Sequence, residues 1–328
     1  MPSHGQSVVT VEGLVKHYNS LLAIDHLDLE IKMGEVFALL GPNGAGKTTT
    51  VEILEGFRAR DSGSVQVLGL DPSDRAVLPF LRRRIGVVLQ DLAVEPYLTV
   101  KEVLVRSAAY FPNPRNVDEV VEEIGLADKA SSRIKTLSGG QRRRLDLGLG
   151  IVGNPELLFL DEPTTGFDPA SRREAWNVLK RLVKEGTTVL LTTHYLDEAE
   201  ALADRLAIIS HGRIVAEGTP STIGGREASE AVIRFRRYGD VFDDGLISRL
   251  ASDSRVVRGP EFVELHTKDE VRVLNNLTAW ALEAEMPLSG LTVQRMTLED
   301  IYLRLVSEAQ ETANRVSNLA SFSQAERP

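Results

Sequence analysis

The sequence predicts an α/β core organised on a mainly parallel sheet, followed by a small α+β unit, and three observations predict it. Apolar runs recur at Val36 to Leu40, Ile85 to Leu89, Leu157 to Leu160 and Thr187 to Leu191, with helix-like stretches between them. Runs without polar alternation suit strands buried on both faces of a parallel sheet. The first run feeds directly into Gly41-Pro42-Asn43-Gly44-Ala45-Gly46-Lys47-Thr48-Thr49, after which Thr48 to Phe57 reads as a helix. Past the linker at Gly224-Gly225 the order becomes β-α-β-β-α-β, the ferredoxin-like arrangement.

Composition bounds the class. A chain of 328 residues suffices for a large core and favours two domains. With 42% hydrophobic and 26% charged residues it reads as a soluble globular protein. No apolar run approaches the roughly 18 residues of a spanning helix, and Met1 to Gln6 lacks the basic and hydrophobic parts of a secretory signal. The absence of cysteine excludes disulfides, thiolate zinc sites and cysteine nucleophiles together. A net charge of −9 argues against a general nucleic-acid binder.

The elements follow in order. Val8 to Val11 and the alternating Leu27-Asp28-Leu29-Glu30-Ile31 read as strands of an antiparallel layer. Tyr18, just upstream of the glycine loop, is either an ordinary aromatic of that layer or a platform on which adenine stacks. Gly41 to Thr48 matches G-x-x-x-x-G-K-[ST] in the context that motif requires, strand before and helix after. Its glycines let backbone N–H groups converge on phosphates, Lys47 reaches the β- and γ-phosphates, and Thr48 offers a hydroxyl to Mg²⁺. The four apolar runs all end in polar residues: the loop itself, Gln90, Asp161-Glu162 and Thr192-Thr193-His194. Ligands of open parallel sheets bind at the carboxyl ends of the strands, so these endings should meet at one edge. There Asp161 would hold Mg²⁺ and Glu162 would take a proton from the attacking water. Gln90 could orient water or touch the metal, and His194 could sense the γ-phosphate.

Residues 96–152 break this rhythm and predict a helical insertion, with helices over Thr99 to Tyr110, Val117 to Gly125 and Ser138 to Val152. Leu137-Ser138-Gly139-Gly140-Gln141 opens the third with an N-cap serine and two glycines, an anion site at a helix start. Arg142-Arg143-Arg144 reads as a solvated basic face, and the glycines at 148 and 150 should weaken the helix by about 1 kcal/mol each.

Gly41 to Thr49, Gln90, Leu137 to Gln141, Leu157 to Pro163, Gly166-Phe167-Asp168 and His194 stand in the order and spacing of an ABC-type ATP-binding subunit, which residues 7 to 220 resemble. The resemblance implies an ABC-type P-loop ATPase core comprising a parallel sheet with helices, an antiparallel β-subdomain and a helical subdomain. It implies two copies paired head-to-tail with ATP and Mg²⁺ between them. Ser138 and Gly140 then contact the γ-phosphate bound by the other copy, flanked by Gly139 and Gln141. Tyr18 takes the adenine position, Asp161 the metal, Glu162 the base and His194 the γ-phosphate switch. Asp168 lies in the loop that communicates across the dimer, where Phe167 replaces the family's usual leucine. Gln141 to Asp146 and Thr192 to Glu200 are similar to bacterial exporter subunits, notably those of daunorubicin resistance. That likeness implies a separate transmembrane permease, received near Asp91 to Tyr110, and a position at the cytoplasmic face of the membrane.

The expected organisation is an ATP-binding domain over 7–223, an accessory α+β domain over 226–309, and a mobile tail over 310–328. A helix over Leu298 to Val306 is expected between accessory domain and tail, and the accessory domain carries no paired carboxylates or metal spacing. The reading reached is an ATPase that powers an exporter of drugs or other amphipathic molecules. The alternatives weighed against it are a cytosolic ABC-type ATPase acting on ribosomes or DNA, and a non-hydrolysing ATP sensor.

Overall fold

In a computed structural model, residues 6–88, 95–237 and 242–325 are described. Strands β1 (Ser7–Tyr18) and β2 (Leu21–Lys32) pair antiparallel. β1 is longer than its first apolar run because register shifts after Val11 carry the pairing on to Tyr18. Strand β3 (Val36–Leu40) is buried at all five residues, and helix α1 (Lys47–Leu54) leaves the glycine loop behind it. β4 (Ser62–Val67) returns to the first layer, giving a three-stranded sheet in the order β2-β1-β4.

After α2 (Leu78–Arg82) and β5 (Ile85–Val88) come three helices, α3 (Val100–Ala108), α4 (Val117–Glu123) and α5 (Gly139–Ile151). Thr99 starts α3 through a capping box with Glu102, and Asn116 caps α4. Then β6 (Leu157–Asp161), α6 (Pro169–Lys184), β7 (Thr188–Thr193), α7 (Leu196–Leu202), β8 (Arg205–Ser210) and β9 (Arg213–Gly218) complete a six-stranded sheet. Its order is β5-β6-β7-β3-β8-β9, parallel throughout except where β9 runs against β8. The carboxyl ends of β5, β6, β7 and β3 therefore share one edge. Phe37 and Phe159 are fully buried in this sheet, each contributing about 1.5–3 kcal/mol by area removed from water.

Gly150 of α5 faces β5 at close range: a Cβ there would lie 2.5 Å from Val88 Cγ2, and one on Gly86 would lie 2.1 Å from the Gly150 carbonyl oxygen. The glycine that lowers helix propensity is what lets helix and strand meet backbone to backbone. Packing thus outweighs a propensity loss of about 1 kcal/mol.

The chain divides into two compact units, one running to Pro220 and resuming at Leu305, the other Ser221–Arg304. The second contains β10 (Ala231–Arg236), α8 (Asp244–Leu250), β11 (Arg255–Arg258), β12 (Phe262–Thr267), α9 (Glu270–Glu283) and β13 (Thr292–Gln294). The strands pair antiparallel in the order β11-β12-β10-β13. Ile233, Phe235, Val263 and Leu265 from one face of this sheet pack with Leu246 and Ile247 of α8 and Val273 and Leu277 of α9. The opposite face carries Arg234, 3.5 Å from Glu264 and stacked 4.0 Å over the Phe262 ring.

The last helix, α10 (Leu298–Ala325), runs well past the Val306 end expected from the sequence. Nothing between 298 and 325 is Pro or Gly, and Ala, Gln, Glu and Leu recur there, so no breaker ends the helix once Leu298 starts it.

Candidate active site

The glycine loop places its groups by backbone geometry. Gly46 sits at φ 108, a conformation that L side chains rarely adopt, and a Cβ there would meet the Ala23 carbonyl oxygen at 2.8 Å. The next residue, Lys47, is 6% exposed, and its Nζ donates to the Gly41 and Pro42 carbonyls at 2.7 and 3.2 Å. Burial lowers its pKa from the ordinary lysine value, while the charges of Glu162 and Asp161 pull it back up. The ammonium is thus held inside the loop that Gly41, Pro42, Asn43, Gly44 and Ala45 form. Tyr18 ends β1 half-buried, its hydroxyl 3.4 Å from Thr49 Oγ1 and its ring 5.1 Å from the Arg58 guanidinium.

At the neighbouring strand ends, Asp161 closes β6 opposite Thr192 of β7, whose hydroxyl donates to Asp161 Oδ1. Glu162 turns out of the strand at φ 49, its N–H donating to the Thr192 carbonyl at 3.0 Å. His194 Nδ1 stands 3.0 Å from Glu162 Oε1, and Thr165 Oγ1 donates to Glu162 Oε2 at 3.4 Å. Gln90 lies outside the described residues.

Ser138 caps α5 through a reciprocal box: its Oγ accepts from the Gln141 N–H at 3.3 Å, and Gln141 Oε1 accepts from the Ser138 N–H at 3.0 Å. A Cβ on Gly139 or Gly140 would meet no atom within 4 Å. Asp168 is committed to its own helix, accepting from the Ala170 and Ser171 N–H groups at 3.0 Å and from the Ser171 hydroxyl at 2.6 Å. Those hydrogen bonds, the Ser171 hydroxyl first, hold its pKa below the ordinary aspartate value.

Of the three arginines after Gln141 only Arg142 is exposed, so the run is not a solvated face as a whole. Arg143 is 8% exposed: its Nε donates to the Pro163 carbonyl at 3.0 Å, and its Nη2 donates to the Asp161 and Glu162 carbonyls at 3.0 and 2.8 Å. Arg144 Nη2 binds Ser171 Oγ at 2.9 Å and Glu174 at 2.7 Å. The periodicity held a signal for this, because 143 falls on the α5 stripe with Leu147, Gly150 and Ile151, all buried. The sequence assigns no role to Thr192 or Thr165 either: a threonine at a buried strand end, like Thr192, or in a turn, like Thr165, has no pattern that separates it from packing.

Glu55, at the C-cap of α1, is 1% exposed, and neither carboxylate oxygen has a hydrogen-bond partner among the described residues. Burial, reinforced by the charges of Asp161 and Glu52, pushes its pKa up to about 8.

The donor set fits Mg²⁺, which takes few protein oxygens and keeps waters and phosphate oxygens for the rest. Asp161 offers one carboxylate and Thr48, exposed at the loop, one hydroxyl. Among the described residues no group of three or more acidic or His side chains forms a protein-only metal cage. The site so assembled can bind phosphate at the loop and deprotonate a water beside it.

The ABC transporter family profile matches residues 24–165. The daunorubicin/doxorubicin resistance ATP-binding protein of Streptomyces peucetius is 45% identical over 235 residues, covering 70% of each chain. The daunorubicin resistance ATP-binding protein of Streptomyces coeruleorubidus is 35% identical over 313 residues, covering 92% of this chain and 96% of that one. Among solved structures, a dimeric post-hydrolysis state of an ATP-binding cassette bound to ADP and Pi superposes with TM-score 0.59 at 25% identity, covering 64% of this chain and 98% of that one.

Proposed function

Because the chain belongs to the ATP-binding subunits of ABC transporters, we propose that it drives export of a drug or other amphipathic small molecule or lipid through a separate membrane-embedded permease. It is an ATPase. It works as a head-to-tail dimer, a homodimer in the simplest case, on the cytoplasmic face of the membrane. No helix among the described residues is long and apolar enough to cross a membrane, so the translocation path belongs to the partner. Tyr97 and Tyr110, at 65% and 75% exposure on either side of α3, mark the surface that would receive it.

The observation that carries this reading is the pairing at the end of β6, where Glu162 leaves the strand at positive φ with its carboxylate 3.0 Å from His194. Bound Mg²⁺, held by Asp161 and Thr48, would neutralise charge on the β- and γ-phosphate oxygens. Lys47 Nζ exchanges its loop carbonyls for those phosphates, and Tyr18 offers its ring to adenine. Glu162 accepts the proton of the attacking water. His194, with Nδ1 3.0 Å from that carboxylate, is assigned to the γ-phosphate, and Gln90 to orienting water or touching the metal. The Ser138 hydroxyl accepts from its own helix and keeps its proton to donate to a phosphate bound by the second copy. The open space at Gly139 and Gly140 supports that approach. Residues 226–309 are read as a ferredoxin-like accessory module, supported by the strand order β11-β12-β10-β13 with both helices on one face.

The test is Glu162→Gln, expected to bind ATP, dimerise and lose about 10²–10⁴-fold in turnover. Capture of this variant with ATP from detergent-solubilised membranes should bring down a multi-span permease. Capture of ribosomal proteins or nucleic acid instead, with no membrane protein, would sink the transporter reading.

A further inference from the structure

We propose that Arg143 is a positioning residue for Glu162, through which α5 sets the aim of the catalytic carboxylate on the same chain. The proposal rests on the function given above. Its basis is that one buried guanidinium grips three successive carbonyls, those of Asp161, Glu162 and Pro163, at 3.0, 2.8 and 3.0 Å. Between the first two of those carbonyls the chain takes φ 49 at Glu162, a conformation seldom adopted by a residue with a side chain. The peptide before Glu162 is anchored by its N–H on the Thr192 carbonyl at 3.0 Å. Arg143 anchors the carbonyls on either side, so the Cα–Cβ direction of Glu162 is fixed between two clamps and delivers the carboxylate to His194 at 3.0 Å.

Arginine suits this task because its planar fork presents several fixed N–H groups at once, whereas an ammonium is a single point. The same helix is tied to α6 by the next residue, Arg144, through Ser171 and Glu174. Ser138, at the head of α5, belongs to the nucleotide held by the second copy in a head-to-tail dimer. Arg143 belongs to the nucleotide held by its own chain. A shift of α5 on filling one site is therefore transmitted to the carbonyls around the base of the other.

The experiment compares the full-length wild type with Arg143→Met, which keeps the apolar stem, and Arg143→Lys, which keeps the charge. Turnover at saturating Mg·ATP, ATP affinity, and hydrogen exchange of the Glu162, Thr164 and Thr165 amides are measured for each. Both variants should bind ATP with unchanged affinity and keep the amides of α5 protected. They should lose protection at Glu162 and fall about 10–100-fold in kcat, the range expected for misplacement of a catalytic group by about 1 Å. A Met variant with wild-type kcat overturns the proposal. So does a loss confined to KM, or a joint fall of kcat, affinity and melting temperature, which would make Arg143 merely structural. Glu162→Gln run in parallel separates the two levels of inference. If it turns over like the wild type, the functional reading itself fails; if it is inactive, the Arg143 results bear on Arg143 alone.

Discussion

The two larger sheets of this chain are built on opposite plans. In the six-stranded sheet, β3 and β7 are buried at every residue, so each strand is held from both faces and its end is fixed in space. In the accessory sheet, β10 and β12 alternate buried and more exposed residues, so only one face is packed while the other presents Arg234 and Glu264. The residues given chemical roles cluster at the ends of the doubly covered strands. What the difference teaches is that a site needing sub-ångström placement rests on strands with no free face. A half-covered sheet leaves a surface open to variation.

That contrast can be broken or sharpened by substitution. Phe159→Ala removes a ring from the doubly covered sheet two residues before Asp161 and should destabilise by about 3–5 kcal/mol, read by denaturant unfolding. Retention of full stability would show that the sheet collapses around the loss. Lys47→Ala should leave unfolding nearly unchanged yet weaken ATP binding by roughly 10–100-fold, as loss of a charge-assisted phosphate contact of about 1.5–3 kcal/mol implies; equilibrium nucleotide titration decides.

Glu55→Gln probes the helix lying on that sheet. The folded pKa, about 8, exceeds the ordinary glutamate value of 4.5, so between those values the folded state binds more protons than the unfolded state. Wild-type stability contributed by this group is therefore full below about pH 4.5 and lost as pH rises toward 8. The variant should match the wild type near pH 4.5 and exceed it increasingly above, by on the order of 4 kcal/mol at pH 7.5. Parallel stability profiles would refute a neutral buried Glu55. Last, Arg234→Ala on the open face should change stability by no more than about 0.5 kcal/mol. A larger loss in chemical unfolding would mean that this face is not the tolerant one.

The alternation of apolar runs and helical stretches was enough to read the parallel sheet and the edge where Asp161 and His194 lie, because both follow from local pattern plus one topological rule. The insertion helices were equally legible, since Ser138, Thr99 and Asn116 carry their own caps. What escaped was tertiary. Arg143 looks like any member of a basic run until the carbonyls of Asp161 to Pro163, about twenty residues away, are seen to turn toward it. Glu55 is an ordinary helix-end glutamate in sequence, and only the packing of α1 leaves its carboxylate without a hydrogen-bond partner among the described residues. The extent of α10 past Val306 was missed because its polar second half shows little helical periodicity, although helix formation needs only good formers and no breaker.

The backbone-to-backbone contact of Gly150 with β5 has a mechanical meaning. With no side chain at Gly86 or Gly150 to act as a cushion, that end of α5 is the natural pivot for any tilt of the helix. Ser138 lies about 18 Å along the axis from it, at roughly 1.5 Å per residue. A tilt of about 5° at the pivot sweeps the serine through roughly 1.6 Å, enough to make or break a hydrogen bond to a phosphate. Arg143, nearer the middle of this lever arm, moves by about half as much, so in the head-to-tail dimer proposed above a large stroke at one nucleotide would be geared down to a fine adjustment at the other.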